Sequence, residues 1–239
     1  MGIEVVPFTS ARVDAVLAFN KRMRDGGTHW GWYEGAEDEW LPKRAGVKVW
    51  REHYLAVEDD EFVRGAYALK PQEWMIDGKP VLVTDWQGPV SEGLLSRKYN
   101  TMGLRLIRDM LKRYPLLYSW GHGGDETSML QMLRSLKWQI HPTPFCLRIV
   151  KPFRFLRYNR YLRNSGRRKL ALDLLAFTGA GWLGLKAMHA VLGLRGLGKA
   201  RAEAEQVDSF GPWADDIWQR CQGDYQVIGL RDAKTMNAL

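Results

Sequence analysis

Val81-Leu82-Val83-Thr84-Asp85-Trp86, followed by Ser96-Arg97-Lys98-Tyr99-Asn100-Thr101 and then Met102-Gly103-Leu104, is the stretch whose reading decides the fold. The first six residues are mostly β-branched or apolar, with Asp85 the exception near the end, and read as a strand. The next six are polar, and the last three open a helix with an apolar stripe. A helix that starts directly after a strand presents N–H groups with no intrahelical partner, and its dipole favours negative charge. Gly103 lets the backbone come close to a ligand there. The segment therefore points to an anion site facing a phosphorylated ligand.

Outward from this stretch the pattern is regular. Residues 3–8 read as a strand. A helix follows to about residue 24, capped by Thr9 or Ser10, with Val13, Val16, Leu17 and Asn20 on its inner face. An aromatic, acidic loop comes next, with His29, Trp30, Trp32, Tyr33, Glu34, Glu37, Asp38, Glu39 and Trp40; it reads as a ligand wall or as a cover for the core edge. Strands over 52–58, 62–76 and 79–90 form a meander broken at Asp59-Asp60 and Asp77-Gly78. The helix over 101–114 places Leu104, Ile107, Met110 and Leu111 inward. A strand over 116–121 and a helix over 127–136 follow, the latter burying Met129, Met132, Leu133 and Leu136. Strands over 138–141 and 145–150 complete the expected first domain, residues 1–152. Hairpins require antiparallel pairs and the helical crossover a parallel one, so the expectation is an α/β mixed sheet with helices on both faces.

This order resembles the GNAT superfamily of acyl-CoA-dependent N-acyltransferases. The family's cofactor signature opens the helix after the fourth strand, and Lys98-x-x-Thr101-x-Gly103 follows it loosely, with Thr101 in place of a glycine. Lys137-Trp138 stands where the family has Gly-Phe or Gly-Trp. Leu133 occupies the place of a tyrosine that protonates the departing thiolate, and Glu126 falls near an asparagine that contacts the pantetheine arm. The resemblance implies acetyl-CoA or another acyl-CoA as cofactor. Its pyrophosphate would be held by Arg97, Lys98, Asn100, Thr101, Met102, Gly103 and Leu104, and its pantetheine by the main chain of Trp86, Gln87 and Gly88. It also implies direct attack by an amine, for which Asp85, His122 and Glu126 are the candidate bases. Asp85 reads equally as a turn cap and Glu126 as a complement to its helix's positive end. Tyr99 and Tyr118 are candidate replacements for the thiolate acid, alongside a structural role.

The chain has 239 residues, with 35 Lys and Arg against 27 Asp and Glu, a net charge of +8. Eight of the basic residues lie between Lys151 and Lys169, where there is no acidic residue, leaving 27 against 27 elsewhere. Arg154, Arg157, Arg160 and Arg163 recur every third residue, with Phe153, Phe155, Tyr158 and Tyr161 between them. The tract reads as a solvated face, as a dock for an anionic membrane surface, or least well as a nucleic-acid contact. Residues 170–194 are apolar and interrupted by Gly179, Gly181 and Gly184; their uncharged run is shorter than the roughly 20 residues a span needs. Residues 153–206 are thus expected to be a basic, then apolar, helical extension. Residues 207–239 restart as a short helix and a strand over 225–230. This is similar to the opening of a second unit in tandem-GNAT and Fem-like proteins, or else a tail that docks on the first domain. Cys146 and Cys221 have no metal or disulfide spacing, and Glu4 interrupts any leader-like core, so a cytoplasmic location is expected, at the inner face of the membrane if the tract docks there. No metal-ligand pattern is present.

Two functions compete on this reading. One is acyl transfer to a small-molecule amine, such as an amino sugar or a cell-envelope or polysaccharide precursor. The other is a non-catalytic GNAT-like module in a membrane-surface or polysaccharide-synthesis assembly.

Overall fold

The computed structural model describes residues 2–35, 41–121, 127–143, 149–159, 161–194 and 205–239. These form two compact units, one of residues 1–136 with 207–239 and one of residues 137–206.

In the first unit, β1 (Ile3–Pro7), β2 (Glu52–Glu58), β3 (Phe62–Ile76) and β4 (Lys79–Ser91) form an antiparallel run in sequence order. The meander is where the alternation placed it, because its turns are encoded locally. Asp77 and Gly78 both have positive φ, 48° and 73°, between the paired residues Ile76 and Lys79, the two-residue turn whose twist matches that of a hairpin. β5 (Leu117–Tyr118) then joins β4 in parallel. The sheet is therefore mixed, as expected.

Helix α1 (Val13–Asp25) covers one face and α2 (Met102–Arg113) the other. Beneath α1 lie Leu55, Val57, Val63, Ala66, Ala68 and Val90, joined by Val16, Phe19, Met23 and Trp32. On the opposite face, the Tyr67 hydroxyl donates to Asp109 of α2. Both helices are rotated from the expected setting. Phe19 and Met23 are buried in α1 while Leu17 is 40% exposed; Leu106 and Met102 are buried in α2 while Leu104 and Leu111 face solvent. Each helix has more apolar residues than one stripe can hold, so the sheet surface chooses among them. In α3 (Ser128–Ser135), Leu130 and Leu133 are buried and Leu136, just beyond its end, is exposed.

Residues 138–141, expected as a strand, have no regular structure. The strand expected over 145–150 falls largely outside the described residues. A different segment completes the sheet. β6 (Val227–Gly229) pairs antiparallel with Trp74–Ile76 of β3, beyond the point where β2 leaves that edge. Its flank is fixed by Gln72 Nε2 donating to the Leu230 carbonyl and by Leu230 N–H donating to the Glu73 carbonyl. Helix α7 (Pro212–Cys221) buries Ala214 and Trp218, and α8 (Ala233–Ala238) buries Thr235.

The second unit consists of α4 (Pro152–Tyr158), α5 (Gly166–Phe177) and α6 (Ala180–Leu194). Ser165 caps α5 by accepting from Arg168 N–H. Asp173 joins α4 to α5 by accepting from Arg157 at 2.9 Å and from Arg163 at 2.6 Å.

Candidate functional site

The site begins where β5 leaves β4. The parallel ladder covers Thr84↔Leu117 and Asp85↔Tyr118, and Ser119 Oγ then donates to the Trp86 carbonyl at 2.6 Å. Beyond this point β4 runs on through Gln87 and Gly88 to Ser91, paired to β3 alone among the described residues. Its register shifts between Ala66 and Ala68, opposite Gly88-Pro89, and Gly88 has a φ of +54°. This is the bulge expected there. Gly88 is exposed, and Pro89 presents no N–H to any further strand. The result is a short length of unpaired strand edge at a fork between two parallel strands.

Asp85 lies at that fork, only 5% exposed. Its Oδ2 accepts from Gln87 Nε2 at 2.7 Å and lies 3.9 Å from Lys70 Nζ. Burial pushes its carboxyl above the usual range, opposed by the Gln87 hydrogen bond and by the charges of Lys70 and Arg51. Register explains the grouping: Lys70 is the cross-strand partner of Asp85 on β3, and Tyr118 its partner on β5, so all three share a face. Tyr118 is pushed up to about 12, first by burial and then by the Asp85 charge. Trp74 and Trp120 pack edge-on against Tyr118, at 5.3 and 6.0 Å between ring centres. On the same face, Tyr33 stacks on His53 at 5.0 Å and accepts from Arg51 Nη2 at 2.7 Å. Part of the aromatic loop thus does line the site. Glu37, Asp38, Glu39 and Trp40 lie outside the described residues.

Of the expected bases, only Asp85 is placed; His122 and Glu126 both lie outside the described residues. The sequence reading overlooked Lys70. Its signal was parity, a lysine two residues after Ala68 and two before Gln72 on the same face of β3.

The expected phosphate turn is a short 3-10 helix, Arg97–Tyr99, running into α2. The N–H groups of Met102, Gly103 and Leu104 have no acceptor among the described residues. Thr101 stands at the N-cap without a side-chain hydrogen bond, and Arg97, Asn100 and Thr101 are exposed. Lys98 is placed differently from the expectation. Its Nζ lies 3.0 Å from Glu58 Oε1, so its ammonium faces β2. Tyr99 is 7% exposed and donates to Glu58 Oε2 at 2.8 Å, which makes it a tether for the turn and not an acid at the fork. A side chain at Gly103 would begin 3.6 Å from the Met132 sulfur of α3, an ordinary contact, so α3 borders this corner without filling it. Leu133 is buried as packing. Lys137, two residues beyond α3, has a φ of 60°, the left-handed conformation that glycine adopts with least strain at a helix end.

These features can be tested against acetyl-CoA or another acyl-CoA. The unpaired amides of α2 suit a diphosphate, and the free β4 edge suits an amide-bearing arm. Trp32 supplies a further donor: its Nε1 is buried without a partner among the described residues, and its ring lies 3.7 Å from where a Gly88 side chain would start. The residues present fit the group. Among the described residues no cluster of His, Cys, Asp and Glu could hold a metal ion.

Among solved structures, the chain is similar to the aminoglycoside antibiotic 6'-N-acetyltransferase AAC(6')-Ih from Acinetobacter baumannii. The identity is 14%, with 62% of this chain and 99% of that one covered and a TM-score of 0.36. It is similar also to AAC(6')-IG from Acinetobacter haemolyticus, at 16% identity over 61% of this chain and 99% of that one, with a TM-score of 0.36. No protein-family model and no curated protein matches the chain. The fold is defined by its own topology: an α/β mixed sheet in which β5 joins β4 in parallel and the two strands fork beyond Tyr118.

Proposed function

We propose that the chain is an acyl-CoA-dependent N-acyltransferase that acts on a small amine. The observation that carries this reading is the unpaired β4 edge at Gln87-Gly88, with the Asp85 carboxylate at the root of the fork. When bound there, acyl-CoA supplies an activated thioester. Asp85 takes the proton of the incoming ammonium, and its raised affinity for a proton narrows the gap to the group it must deprotonate. Lys70 and Gln87 hold the carboxylate in place. Backbone N–H groups of β4 polarise the carbonyl, and those of Met102 to Leu104 hold the diphosphate. Tyr118, one strand over, is placed to supply a proton to a departing thiolate.

The acceptor side is walled by aromatic rings, with Tyr33 48% and Trp120 62% exposed. Rings of this kind offer flat apolar faces beside polar groups, which suits an amino sugar, including one within a cell-envelope or polysaccharide precursor. The fate of Lys98 and Leu133 favours a second reading, a GNAT-like module that binds without turnover.

Thermal unfolding of the full chain with acetyl-CoA separates these readings from failure of both. At 100 times its dissociation constant, acetyl-CoA should stabilise the protein by about 2.7 kcal/mol. Stabilisation with acetyl transfer to amino-sugar acceptors supports the enzyme, and stabilisation without transfer to any amine supports the binding module. Unchanged melting at millimolar acetyl-CoA would remove the cofactor from both.

A further inference from the structure

Residues 137–206 form a unit with apolar side chains and no interior to hold them. None of its described residues is buried. Helix α6 is apolar over most of its circumference: at 100° per residue Leu183, Met188, Val191 and Leu192 spread over about 180° of the axis, and Lys186 and His189 fall in one narrow sector beside Trp182. Trp182, Leu183, Met188, Val191 and Leu192 are 48%, 61%, 47%, 49% and 38% exposed. An apolar arc this wide exceeds the single stripe that a protein groove covers, and the lone Lys186 can carry its ammonium along its stem to the headgroup level. In α5, Leu170, Leu174 and Phe177 are 74%, 65% and 69% exposed.

Length and bend then decide the depth. No single described helix is long and apolar enough to cross a membrane, but α5 and α6 together have that composition and are bent by 75° at their junction. Gly179, with a φ of +75°, makes the turn. Helices of 12 and 15 residues are about 18 and 22 Å long, and that bend puts the vertex roughly 10–15 Å below the outer ends. This is the thickness of one leaflet's hydrocarbon, about 15 Å.

Charge identifies the surface. Asp173 is the sole acidic residue between 149 and 194, and Arg157 and Arg163 occupy it. Among the described residues, Lys151, Arg154, Arg167 and Lys169 have no carboxylate partner. An open cavity of about 330 Å³ between the helices is lined by Phe153, Leu156, Leu175 and Trp182 together with Lys151 and Arg154, an apolar slot with two cations on its wall. Tyr158 and Tyr161, 70% and 92% exposed, are of the type that settles at headgroup level.

We propose that residues 151–194 are a monotopic membrane anchor: the α5–α6 vertex enters one leaflet of an anionic phospholipid bilayer, and Lys151, Arg154, Arg167, Arg168 and Lys169 lie among its phosphates. This inference does not rest on the transferase reading. Insertion supplies the part of the affinity that salt cannot remove, and the basic residues supply the preference for anionic lipid.

Flotation of the full chain with vesicles of neutral phosphatidylcholine, with and without 30% phosphatidylglycerol (roughly the anionic content of a biological membrane), tests it. The wild type should float with both, more strongly with the anionic vesicles, and retain part of its binding in high salt. The pair Leu174→Glu and Leu183→Glu, 65% and 61% exposed, should lower partitioning more than about tenfold at unchanged melting temperature. Arg167→Glu with Arg168→Glu should erase the anionic preference and leave neutral binding. The proposal fails if the wild type stays with neither vesicle. It fails equally if the Leu174→Glu, Leu183→Glu variant binds anionic vesicles as the wild type does, or if the apolar face is instead consumed by a dimer that ignores lipid.

Discussion

Asp85 is a carboxylate kept from water beside one lysine and one amide, and its role turns on that setting. Burial raises its proton affinity, opposed first by the Gln87 hydrogen bond and then by the charge of Lys70, so it is more basic than an exposed aspartate. In the proposed reaction it must be deprotonated to act, so activity should fall as pH drops through its raised pKa. Asp85→Asn should lower kcat by about 10²–10⁴-fold and abolish that acidic limb, with acetyl-CoA still raising the melting temperature. A pH–rate profile of the two proteins checks this; an unaltered limb in the variant would assign the base elsewhere. Asp85 was legible in the sequence as a polar residue at the end of an apolar strand. Lys70 was not, because its partner lies across a hairpin and the pairing exists only once the register is set.

At the scale of elements, α2 is the informative one. Its first N–H groups have no acceptor and Gly103 sits among them. Space exists for a side chain there, since the nearest atom would be the Met132 sulfur at 3.6 Å. Gly103→Ala should therefore leave stability unchanged or raise it by up to about 1 kcal/mol. If the amides hold a diphosphate, the same change should weaken acetyl-CoA binding by at least about tenfold, because a methyl group then intrudes on the close approach. Calorimetric titration against chemical denaturation separates the two effects. Equal affinity in both proteins would move the diphosphate away from this helix. The existence of α2 could be read from its sequence, but its rotation could not. Leu104, Leu106, Ile107, Met110 and Leu111 spread over about 160° of the helix at 100° per residue, and only the facing strands show which three are buried.

For the whole first unit, one polar network ties the distant parts. Glu58 of β2 meets Arg64 of β3 at 2.8 Å, Lys98 at 3.0 Å and Tyr99 at 2.8 Å. Arg64 also reaches Glu92 at 2.7 Å, and Glu92 accepts from Arg22 of α1 at 2.6 Å. These partners, Tyr99 first and then Lys98, hold the Glu58 carboxyl at about 2, below its ordinary 4.5. The folded state therefore binds this proton less readily than the unfolded chain. Its contribution is complete above about pH 4.5 and drains away as pH falls toward 2. Glu58→Gln should destabilise the protein at neutral pH and flatten the loss of stability between those pH values, as acid titration of the melting temperature would show. A parallel decline in both proteins would mean that other carboxylates govern acid unfolding.

By itself the sequence determined the β2–β3–β4 meander, the helices that follow, and the basic tract beside an apolar one. These depend on local alternation, on turn residues such as Asp77-Gly78, and on composition, all of which act within a few residues. Tertiary structure alone decided that residues 227–229 complete the sheet while 138–141 do not join it. It decided too that Lys98 turns to Glu58 forty residues away, and that Lys70, Asp85 and Tyr118 stand in one row. A strand's edge accepts whichever segment the packing brings to it, and a charge pairs with whatever lies near in space; neither choice is written in the spacing of neighbouring residues.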